Sequence, residues 1–387
     1  MQPFSRHLGT PVNLMPSARI RAFLQSESVL AISALVAIAS MTAFPPTPEH
    51  LPEYFAAVDL RTIGLLFCLM TAVAGLTRAG VLGAIRARLA KGHGSMRRLT
   101  VLLTLISFFS SMIVTNDVAL ISFVPLTLLL FRSAPQHVLV ITLVTQTVAA
   151  NLGSMLTPIG NPQNIYLYST FGLDPVTFLR VIAPYGTLGL ALSLAPCLLV
   201  PTTPLAASQL EETPIQRNLL FGYLGIFALS LSCVAHLVSW QICTAVTIGT
   251  CLAIDRKVLT SIDYGLLATF ACFFIFVGNI KHIDSLTQAL QGVLVGREIL
   301  VSALASQVIS NVPAAIMLSG FTGNAAGLLI GTNIGGLGTP VASLASLITL
   351  RLYARSHGAR IGLFLRCFMA LNVLFLLLLL VVAAFLS

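Results

Sequence analysis

A short polar tract occurs once in each half of this chain, and each copy interrupts an apolar segment. The first copy begins at Asn151 and ends at Pro158, and the second begins at Asn333 and ends at Pro340. Asn, Gly, Thr and Pro hold the same relative positions in both. Glycine and proline are poor helix formers, and an unwound backbone within a bilayer needs internal partners. The tracts therefore predict two related halves, each with a broken helix, an arrangement typical of secondary transporters.

The composition predicts an integral membrane protein. Hydrophobic residues make up 57% of the 387 positions and charged residues 9%, against about 25% charged residues in ordinary soluble domains. The first apolar run, 28–44, is directly followed by Pro45 and Pro46 and lacks a small-residue cleavage site. We therefore interpret it as a retained helix and not as a signal peptide.

The formal charge of +9 does not indicate nucleic-acid binding, because the basic residues lie in short loops between apolar runs. The loop from Pro45 to Asp59 holds acidic residues and no Lys or Arg. Since positive loops stay in the cytoplasm, we expect a multi-pass protein of a bacterial-type inner membrane. Its N-terminus would be cytoplasmic and its C-terminus outside. The basic loops are the arm before residue 28, 78–98, Arg256 with Lys257, and 351–360.

The fold class that we predict is an all-α polytopic membrane protein with about nine spans, each of about 20 residues. The run 138–168 would reach roughly 46 Å as one helix, so we expect it to break. The apolar stretches 99–131 and 299–321 are interrupted at their centres, and each is either a re-entrant hairpin or two full spans. The expected spans are 28–44, 60–77, 138–168, 178–200, 218–237, 240–254, 263–280, 325–350 and 361–386.

The two halves align in order. Asp59 matches Asp263, Asn116 matches Asn311 and Asn151 matches Asn333, at offsets of 204, 195 and 182 residues. Charge places the matched spans in opposite directions, so the repeat is inverted. The predicted organisation is a cytoplasmic arm (1–27), a first helix with its outer loop (28–58), a first repeat (59–200), connecting helices (201–262) and a second repeat (263–387).

Four polar interruptions should converge on one binding site. Half-helix N-termini attract anions, and uncharged amides and hydroxyls supply both donors and acceptors. The expected substrate-binding residues are Thr115, Asn116, Ser310, Asn311, Asn151, Thr157, Asn161, Asn164, Asn333 and Thr339. The expected helix-breaking residues are Gly153, Pro158, Gly160, Pro162, Gly335, Gly336, Gly338 and Pro340.

Asp117 is the most informative single residue, because a carboxylate deep in a bilayer costs about 2.5–3.5 kcal/mol on insertion scales. It is either the group that carries the coupling proton or cation, or a helix cap near an aqueous opening. The two readings are compatible, because a capping carboxylate can also titrate.

Enzyme signatures are absent from the sequence. It has no zinc-protease helix, nucleophile elbow or phosphate-binding loop, and its seven cysteines show no metal-ligand spacing. We expect no catalytic residues, no metal site and no cofactor beyond a coupling Na⁺ or H⁺. The expected partners are a small-molecule or ion substrate and the lipid bilayer.

At two segments the chain resembles the ion transporter superfamily, and above all bacterial inner-membrane permeases with a citrate-transporter-like domain. The segments are Leu156–Asn164 and Ser306–Pro313. The resemblance implies a scaffold, a mobile transport domain with two re-entrant hairpins, and a homodimer. The dicarboxylate branch carries Ser-Asn-Thr at both hairpin tips. Here Asp117 and Val312 take the third position, which is more similar to the arsenite-permease branch.

The sequence thus predicts an ion-coupled carrier of a small anion or oxyanion that works by alternating access. Three alternatives stay open at this point: a cation/proton antiporter, an arsenite-type metalloid exporter and a passive channel. Substrate, coupling ion and direction of transport are not encoded in any recognisable motif.

Overall fold

The computed structural model describes residues 28–90, 94–205 and 214–386. The predicted cytoplasmic arm, 1–27, lies outside the described residues. Almost every ordered element is helical. The helices of the first half are α1 (Ser28–Ala43), α2 (Leu51–Ala57), α3 (Leu60–Arg78), α4 (Val81–Ala90), α5 (Met96–Val114), α6 (Asn116–Leu130), α7 (Gln136–Ser154), α8 (Pro162–Thr170) and α9 (Pro175–Leu194).

The helices of the second half follow a similar order. They are α10 (Arg217–Val234), α11 (Trp240–Ile254), α12 (Tyr264–Ile280), α13 (Asp284–Leu294), α14 (Glu298–Ile309), α15 (Asn311–Ser319), α16 (Ala325–Ile334), α17 (Leu344–Ala354) and α18 (Ile361–Leu386). Short 3₁₀ turns cover Ala195–Leu199, Arg256–Ser261 and Pro340–Ala342. One antiparallel pair of two-residue strands, β1 (Gly94–Ser95) and β2 (Pro204–Leu205), joins the start of α5 to the segment after α9.

Among the described residues, six helices are long and apolar enough to cross a membrane: α3, α5, α7, α9 with its 3₁₀ extension, α10 and α18. The helices α12 and α13 together form a seventh candidate span, which bends by 108°. Shorter apolar helices make up the rest, and most of them are pieces of broken segments. The predicted all-α polytopic class with broken helices is confirmed.

Each interrupted apolar stretch turns at a single residue. Thr115 links α5 to α6 with φ 69° and ψ 154°, and Ser310 links α14 to α15 with φ 73° and ψ 154°. We call these two units hairpin 1 (α5 and α6) and hairpin 2 (α14 and α15). The helices of hairpin 2 have 12 and 9 residues, about 18 and 14 Å, which is too short for a core of about 30 Å.

The tip of hairpin 1 also ends inside the protein. The backbone N–H of Asn116 donates to the carbonyl oxygen of Gly160 at 3.2 Å, and Gly160 lies in the break of the following helix. The tip of hairpin 1 therefore lies against the break between α7 and α8, and the helices of hairpin 2 are too short to cross, which favours the re-entrant alternative for both stretches.

The predicted breaks are present in both tracts. α7 ends at Ser154, and α8 begins at Pro162 with Asn161 as its N-cap. α16 ends at Ile334, and a 3₁₀ turn precedes α17. The prolines and most glycines of the predicted set lie in these breaks. Gly153 instead occupies the last turn of α7, where a Cβ atom would lie 2.1 Å from the carbonyl oxygen of Phe108 in hairpin 1.

The scaffold helices repeat the same inverted pattern. Asp59 caps α3 by accepting from the N–H of Thr62 at 3.1 Å, and Asp263 caps α12 by accepting from Leu266 at 2.9 Å. Charged pairs at the other ends of α3 and α12 correspond as well. Arg78 Nε lies 2.6 Å from Asp255 Oδ2, and His282 Nε2 lies 3.4 Å from Glu53 Oε2.

Hairpin 2 packs on α16 through a stripe of small residues. Gly327, Gly331 and Gly335 recur every fourth residue, so they share one face of α16. A Cβ on Gly331 would lie 2.0 Å from Ser302 Oγ, and one on Gly335 would lie 2.8 Å from the Cα of Ala303. Close backbone approach through small residues is a common way to join helices in membranes.

The sequence reading missed the short helices α2, α4 and α13. Their apolar residues are too few to form a span, so a search for apolar runs passes over them. α13 instead turns sharply away from α12, and of its residues only Leu294 is buried.

Candidate functional site

The first break is held against hairpin 1 by backbone contacts. Thr157 Oγ1 donates to the carbonyl oxygen of Met112 at 2.6 Å, four residues before the hairpin tip. The contact between Gly153 and Phe108 continues this packing along α5. Together with the bond from Asn116 to Gly160, these contacts keep the tip beside the unwound backbone.

The second break repeats the threonine contact at the matched position, and the hydroxyl of Ser310, the counterpart of Thr115, takes the place of the Asn116 N–H. Thr339 Oγ1 donates to the carbonyl oxygen of Gln307 at 3.1 Å, and Ser310 Oγ donates to the carbonyl oxygen of Ala342 at 3.4 Å. The repeat offsets carry Thr157 onto Thr339, Met112 onto Gln307 and Gly160 onto Ala342. The inverted repeat therefore extends to individual hydrogen bonds.

The side chain of Gln307 clamps the second break from hairpin 2, a contact that hairpin 1 lacks. Its Nε2 donates to the carbonyl oxygens of Gly335 at 2.8 Å and Leu337 at 2.9 Å, and its Oε1 accepts from the N–H of Thr339 at 2.8 Å. Freed backbone groups in a bilayer need such internal partners. Met112, at the matched position, cannot supply them.

The tract asparagines cross between the two halves. Asn333 Oδ1 accepts from Asn161 Nδ2 at 3.0 Å, and Asn333 Nδ2 donates to Asn164 Oδ1 at 2.6 Å. Asn151 Oδ1 accepts from Ser343 Oγ at 3.0 Å, and Asn151 Nδ2 donates to Ser346 Oγ at 3.4 Å. Each broken helix thus binds the start of the opposite half's second helical segment.

These crossed contacts leave little free capacity on the tract asparagines. Asn151 Oδ1 also accepts from Asn116 Nδ2 at 3.0 Å, and Asn164 Nδ2 donates to three carbonyl oxygens of the first break. All five asparagines of this network are buried. In this conformation they join the two repeats, and their predicted role as substrate ligands stays a prediction.

Three polar side chains at the hairpin tips remain open. Thr115, Asp117 and Asn311 make no side-chain hydrogen bond or salt bridge with any described residue. Asp117 is partly exposed and lies in the first turn of α6, and Asn311 begins α15. Their helix N-termini carry partial positive charge. Asp263 at the start of α12 interacts electrostatically with Asp117.

The predicted set therefore divides in two. Thr115, Asp117 and Asn311 keep polar groups at the hairpin tips that are unpaired among the described residues. Asn116, Ser310, the two threonines and the tract asparagines form hydrogen bonds within the protein. The sequence reading missed Ser343 and Ser346 as partners of Asn151. They stand 182 residues after Asn161 and Asn164, so the repeat register itself was a signal that could have identified them.

A cavity of about 710 Å³ lies away from the tips, at the far ends of α8 and α15. Arg61, Tyr166, Lys281 and Ser319 are among its lining residues, and Tyr166 Oη lies 2.5 Å from Ser319 Oγ. α8 and α15 begin near the breaks and end at this cavity. The cavity therefore lies one helix length from the hairpin tips.

No group of three or more His, Cys, Asp or Glu side chains among the described residues is placed to hold a metal ion. The seven cysteines are free thiols, and five of them are buried. That the chain has no metal centre stays a prediction.

Comparisons with known proteins agree with this architecture. The family model described as citrate transporter matches residues 23–328. The transporter MJ0456 of Methanocaldococcus jannaschii, described as uncharacterised, is 32% identical over 323 residues, which cover 81% of this chain and 86% of that protein. The Escherichia coli inner membrane protein YbiR is 33% identical over 340 residues, which cover 85% of this chain and 88% of that protein.

A solved structure shares the fold at low sequence identity. The Alcanivorax borkumensis YdaH transporter, whose structure is described as having an unusual topology, superposes with a TM-score of 0.54 at 16% identity. The alignment covers 89% of this chain and 88% of that one. With its matched family model and its full-length relatives, this chain belongs to the citrate transporter family and is a membrane transporter.

Proposed function

We propose that this transporter is an ion-coupled secondary carrier that moves a small anion or oxyanion by alternating access. The observation that carries the proposal is the pair of hairpin tips. Two half-helix N-termini begin within the membrane-embedded region, and each displays a polar side chain without a hydrogen-bond partner among the described residues.

The tips suit an anion for a physical reason. A half-helix N-terminus presents N–H groups and a partial positive charge, and it acts inside a region of low dielectric where electrostatic contacts are strong. Thr115 and Asn311 add a hydroxyl and an amide, which donate hydrogen bonds without the cost of a fixed charge. The substrate would lie between them, and Asn116, Ser310, Thr157 and Thr339 would keep the tips in place.

Asp117 provides the coupling step. An anion cannot bind beside an ionised carboxylate at low energetic cost, because like charges repel. A proton or a cation on Asp117 removes that repulsion, so the substrate and the coupling ion bind together.

A second function is favoured by the same residue. Asp117 is the only acidic side chain in the first turn of a helix that starts at a hairpin tip. A cation/proton antiporter would exchange its two ions at that carboxylate and would need no anion. The Asn-Asp tip likewise keeps an arsenite-type metalloid exporter as a further alternative.

The proposed setting is a bacterial-type inner membrane with the N-terminus in the cytoplasm and the C-terminus outside. The basic loops at Arg256 and at 351–360 support this orientation. A homodimer is proposed from the family resemblance.

Proton movement in proteoliposomes tests the function directly. Sodium, lithium, citrate, succinate, sulfate and arsenite are added one at a time, with protein-free vesicles as the control. A proton signal with citrate, succinate or sulfate, but not with sodium alone, supports the anion carrier, and a signal with arsenite identifies a metalloid permease. A signal with sodium or lithium alone supports the antiporter and contradicts the anion proposal.

A further inference from the structure

A second polar site lies at the open end of hairpin 2, one helix length from its tip. Glu298 begins α14 and is 5% exposed. It lines a cavity of about 530 Å³ together with Gln291, Val295 and the loop 320–324. The loop connects hairpin 2 to the second broken helix.

The carboxylate of Glu298 is incompletely satisfied. One oxygen, Oε1, accepts from Thr322 Oγ1 at 3.0 Å, and Oε2 has no hydrogen-bond partner among the described residues. The adjacent Arg297 forms no salt bridge with it in the described part of the chain. A buried charge is costly unless it is paired. The first turn of α14 gives this carboxylate only partial positive charge, and Oε2 is left to accept a cation from the cavity that Glu298 lines.

The loop beside Glu298 supplies further oxygen atoms. The carbonyl oxygens of Gly320, Phe321 and Thr322 accept no backbone hydrogen bond in the described residues. Thr322 Oγ1 also accepts from the N–H of Asn324 at 3.1 Å, and Asn324 Oδ1 caps α16 through the N–H of Gly327 at 2.8 Å. Hydrogen bonds therefore fix the loop, while the carbonyl groups of Gly320, Phe321 and Thr322 stay available to a ligand.

We propose that Glu298 and the carbonyl groups of Gly320, Phe321 and Thr322 bind a small hard monovalent cation such as sodium. Hard cations take carboxylate and carbonyl oxygens as ligands. One carboxylate balances one positive charge, so a monovalent ion leaves the site neutral. The bound ion holds the loop against the start of α14 and so fixes the base of hairpin 2 relative to α16.

The site is independent of the proposed transport function, and its test is a binding measurement. Purified protein in nanodiscs is titrated with sodium chloride at ionic strength held constant with choline chloride. Amide hydrogen exchange is followed by mass spectrometry. We expect sodium to slow exchange in peptides that cover 320–328 and the first turn of α14, while peptides from α7 do not change.

Glu298→Gln tests the carboxylate with minimal change of shape, because a glutamine oxygen can still accept from Thr322. We expect the sodium concentration for half-maximal protection to rise by about tenfold or more, which corresponds to 1.4 kcal/mol. The matched control is Glu53→Gln, which removes an exposed carboxylate of the outer loop and should leave the response unchanged. Thr322→Ser keeps the hydroxyl and should also keep sodium binding.

Several outcomes would overturn the proposal. Protection that persists unchanged in Glu298→Gln would place the cation elsewhere. Protection by calcium but not by sodium would contradict the monovalent assignment. A response to pH alone, with no effect of sodium, would make Glu298 a proton acceptor. Unchanged protection in the α7 peptides of each variant serves as the check that the protein is folded.

Discussion

The two hairpins share one backbone conformation at their tips but differ in length and charge. Hairpin 1 has helices of 19 and 15 residues and carries Asp117, whereas hairpin 2 has helices of 12 and 9 residues and carries Val312 at the matched position. The contacts made through backbone carbonyl groups recur in both halves. The repeat therefore preserves the frame, and the side chains that can meet a solute make the site asymmetric.

The largest expected effect concerns the charge that distinguishes the two tips. Asp117→Val makes tip 1 resemble tip 2, and we expect proton-coupled transport to fall by about 5- to 150-fold, the range of a coupling free energy of 1–3 kcal/mol. Asp117→Asn should leave a slow flux that no longer varies with pH. Both variants are compared with the wild type by initial rates in proteoliposomes between about pH 5.5 and 8.

Moving the carboxylate to tip 2 tests whether the two tips are equivalent. The double variant Asp117→Val with Val312→Asp should transport no faster than Asp117→Val alone, since Asp263 interacts with the tip-1 position. Recovery of wild-type rates would mean that the two tips are functionally equivalent. Val312→Asn, which adds polarity without charge, is the control for disruption of packing at tip 2.

The next largest effect concerns the packing of the two breaks. A Cβ at Gly153 meets the Phe108 carbonyl oxygen at 2.1 Å, whereas one at Gly335 meets the Ala303 Cα at 2.8 Å. Overpacking costs about 1–3 kcal/mol or more. We therefore expect Gly153→Ala to lower the melting temperature more than Gly335→Ala. Gly225→Ala, with no atom within 4 Å of the new Cβ, should be neutral, and equal losses for all three would contradict the packing account.

A smaller effect is expected at the matched threonines. Thr157→Val and Thr339→Val remove hydrogen bonds of 2.6 and 3.1 Å, each worth about 0.5–1.5 kcal/mol. The side-chain amide of Gln307 holds the second break through other hydrogen bonds. We therefore expect Thr339→Val to lower the free energy of unfolding less than Thr157→Val does. Thermal unfolding in detergent measures both changes. A larger loss at Thr339 would show that the Gln307 clamp does not compensate.

The smallest effect concerns the charged pairs at the ends of α3 and α12. The hydrogen bond from Arg78 lowers the pKa of Asp255, in the loop after α11, below its usual value. A carboxyl group with a lowered folded pKa stabilises the fold above the unfolded pKa of about 3.9. That stability is lost as the pH falls through the lower folded pKa.

Arg78→Gln should therefore destabilise the protein at pH 6 by about 0.2–1 kcal/mol, as for exposed pairs, and by less near pH 3, which lies below the unfolded pKa. His282→Gln should have a weaker effect, since its longer contact with Glu53 requires a protonated imidazole. Thermal unfolding at the two pH values measures both, and an effect of Arg78→Gln that is independent of pH would rule out the ion pair as its cause.

Much of the fold could be predicted, because apolar length, Gly–Pro interruptions and loop charge are local properties of the sequence. The offsets that align Asn116 with Asn311 and Asn151 with Asn333 recur in the hydrogen bonds of the structure. The stretch 99–131 remained ambiguous because its apolar length suits two spans as well as a hairpin. Only the docking of Asn116 on Gly160, a tertiary contact, distinguishes them.

The candidate site was harder to predict. Asn151, Asn161, Asn164 and Asn333 have the chemistry of ligands, yet here they satisfy one another and the serines of the opposite repeat. Which polar groups are already paired depends on where the two halves meet, and no local pattern encodes that. Ser343 and Ser346 were missed because they differ in residue type from their counterparts in the first half, Asn161 and Asn164.

The crossed asparagine contacts join residues that are synthesised at different times. Asn151 depends on Ser343, which lies 192 residues later in the chain. At a synthesis rate of about 5–20 residues per second, roughly 10–40 seconds separate the two. During that interval Asn116 can satisfy the amide oxygen of Asn151, but the Nδ2 group lacks its partner Ser346. The first half therefore has to be sheltered by water, lipid headgroups or the insertion machinery until the second half arrives.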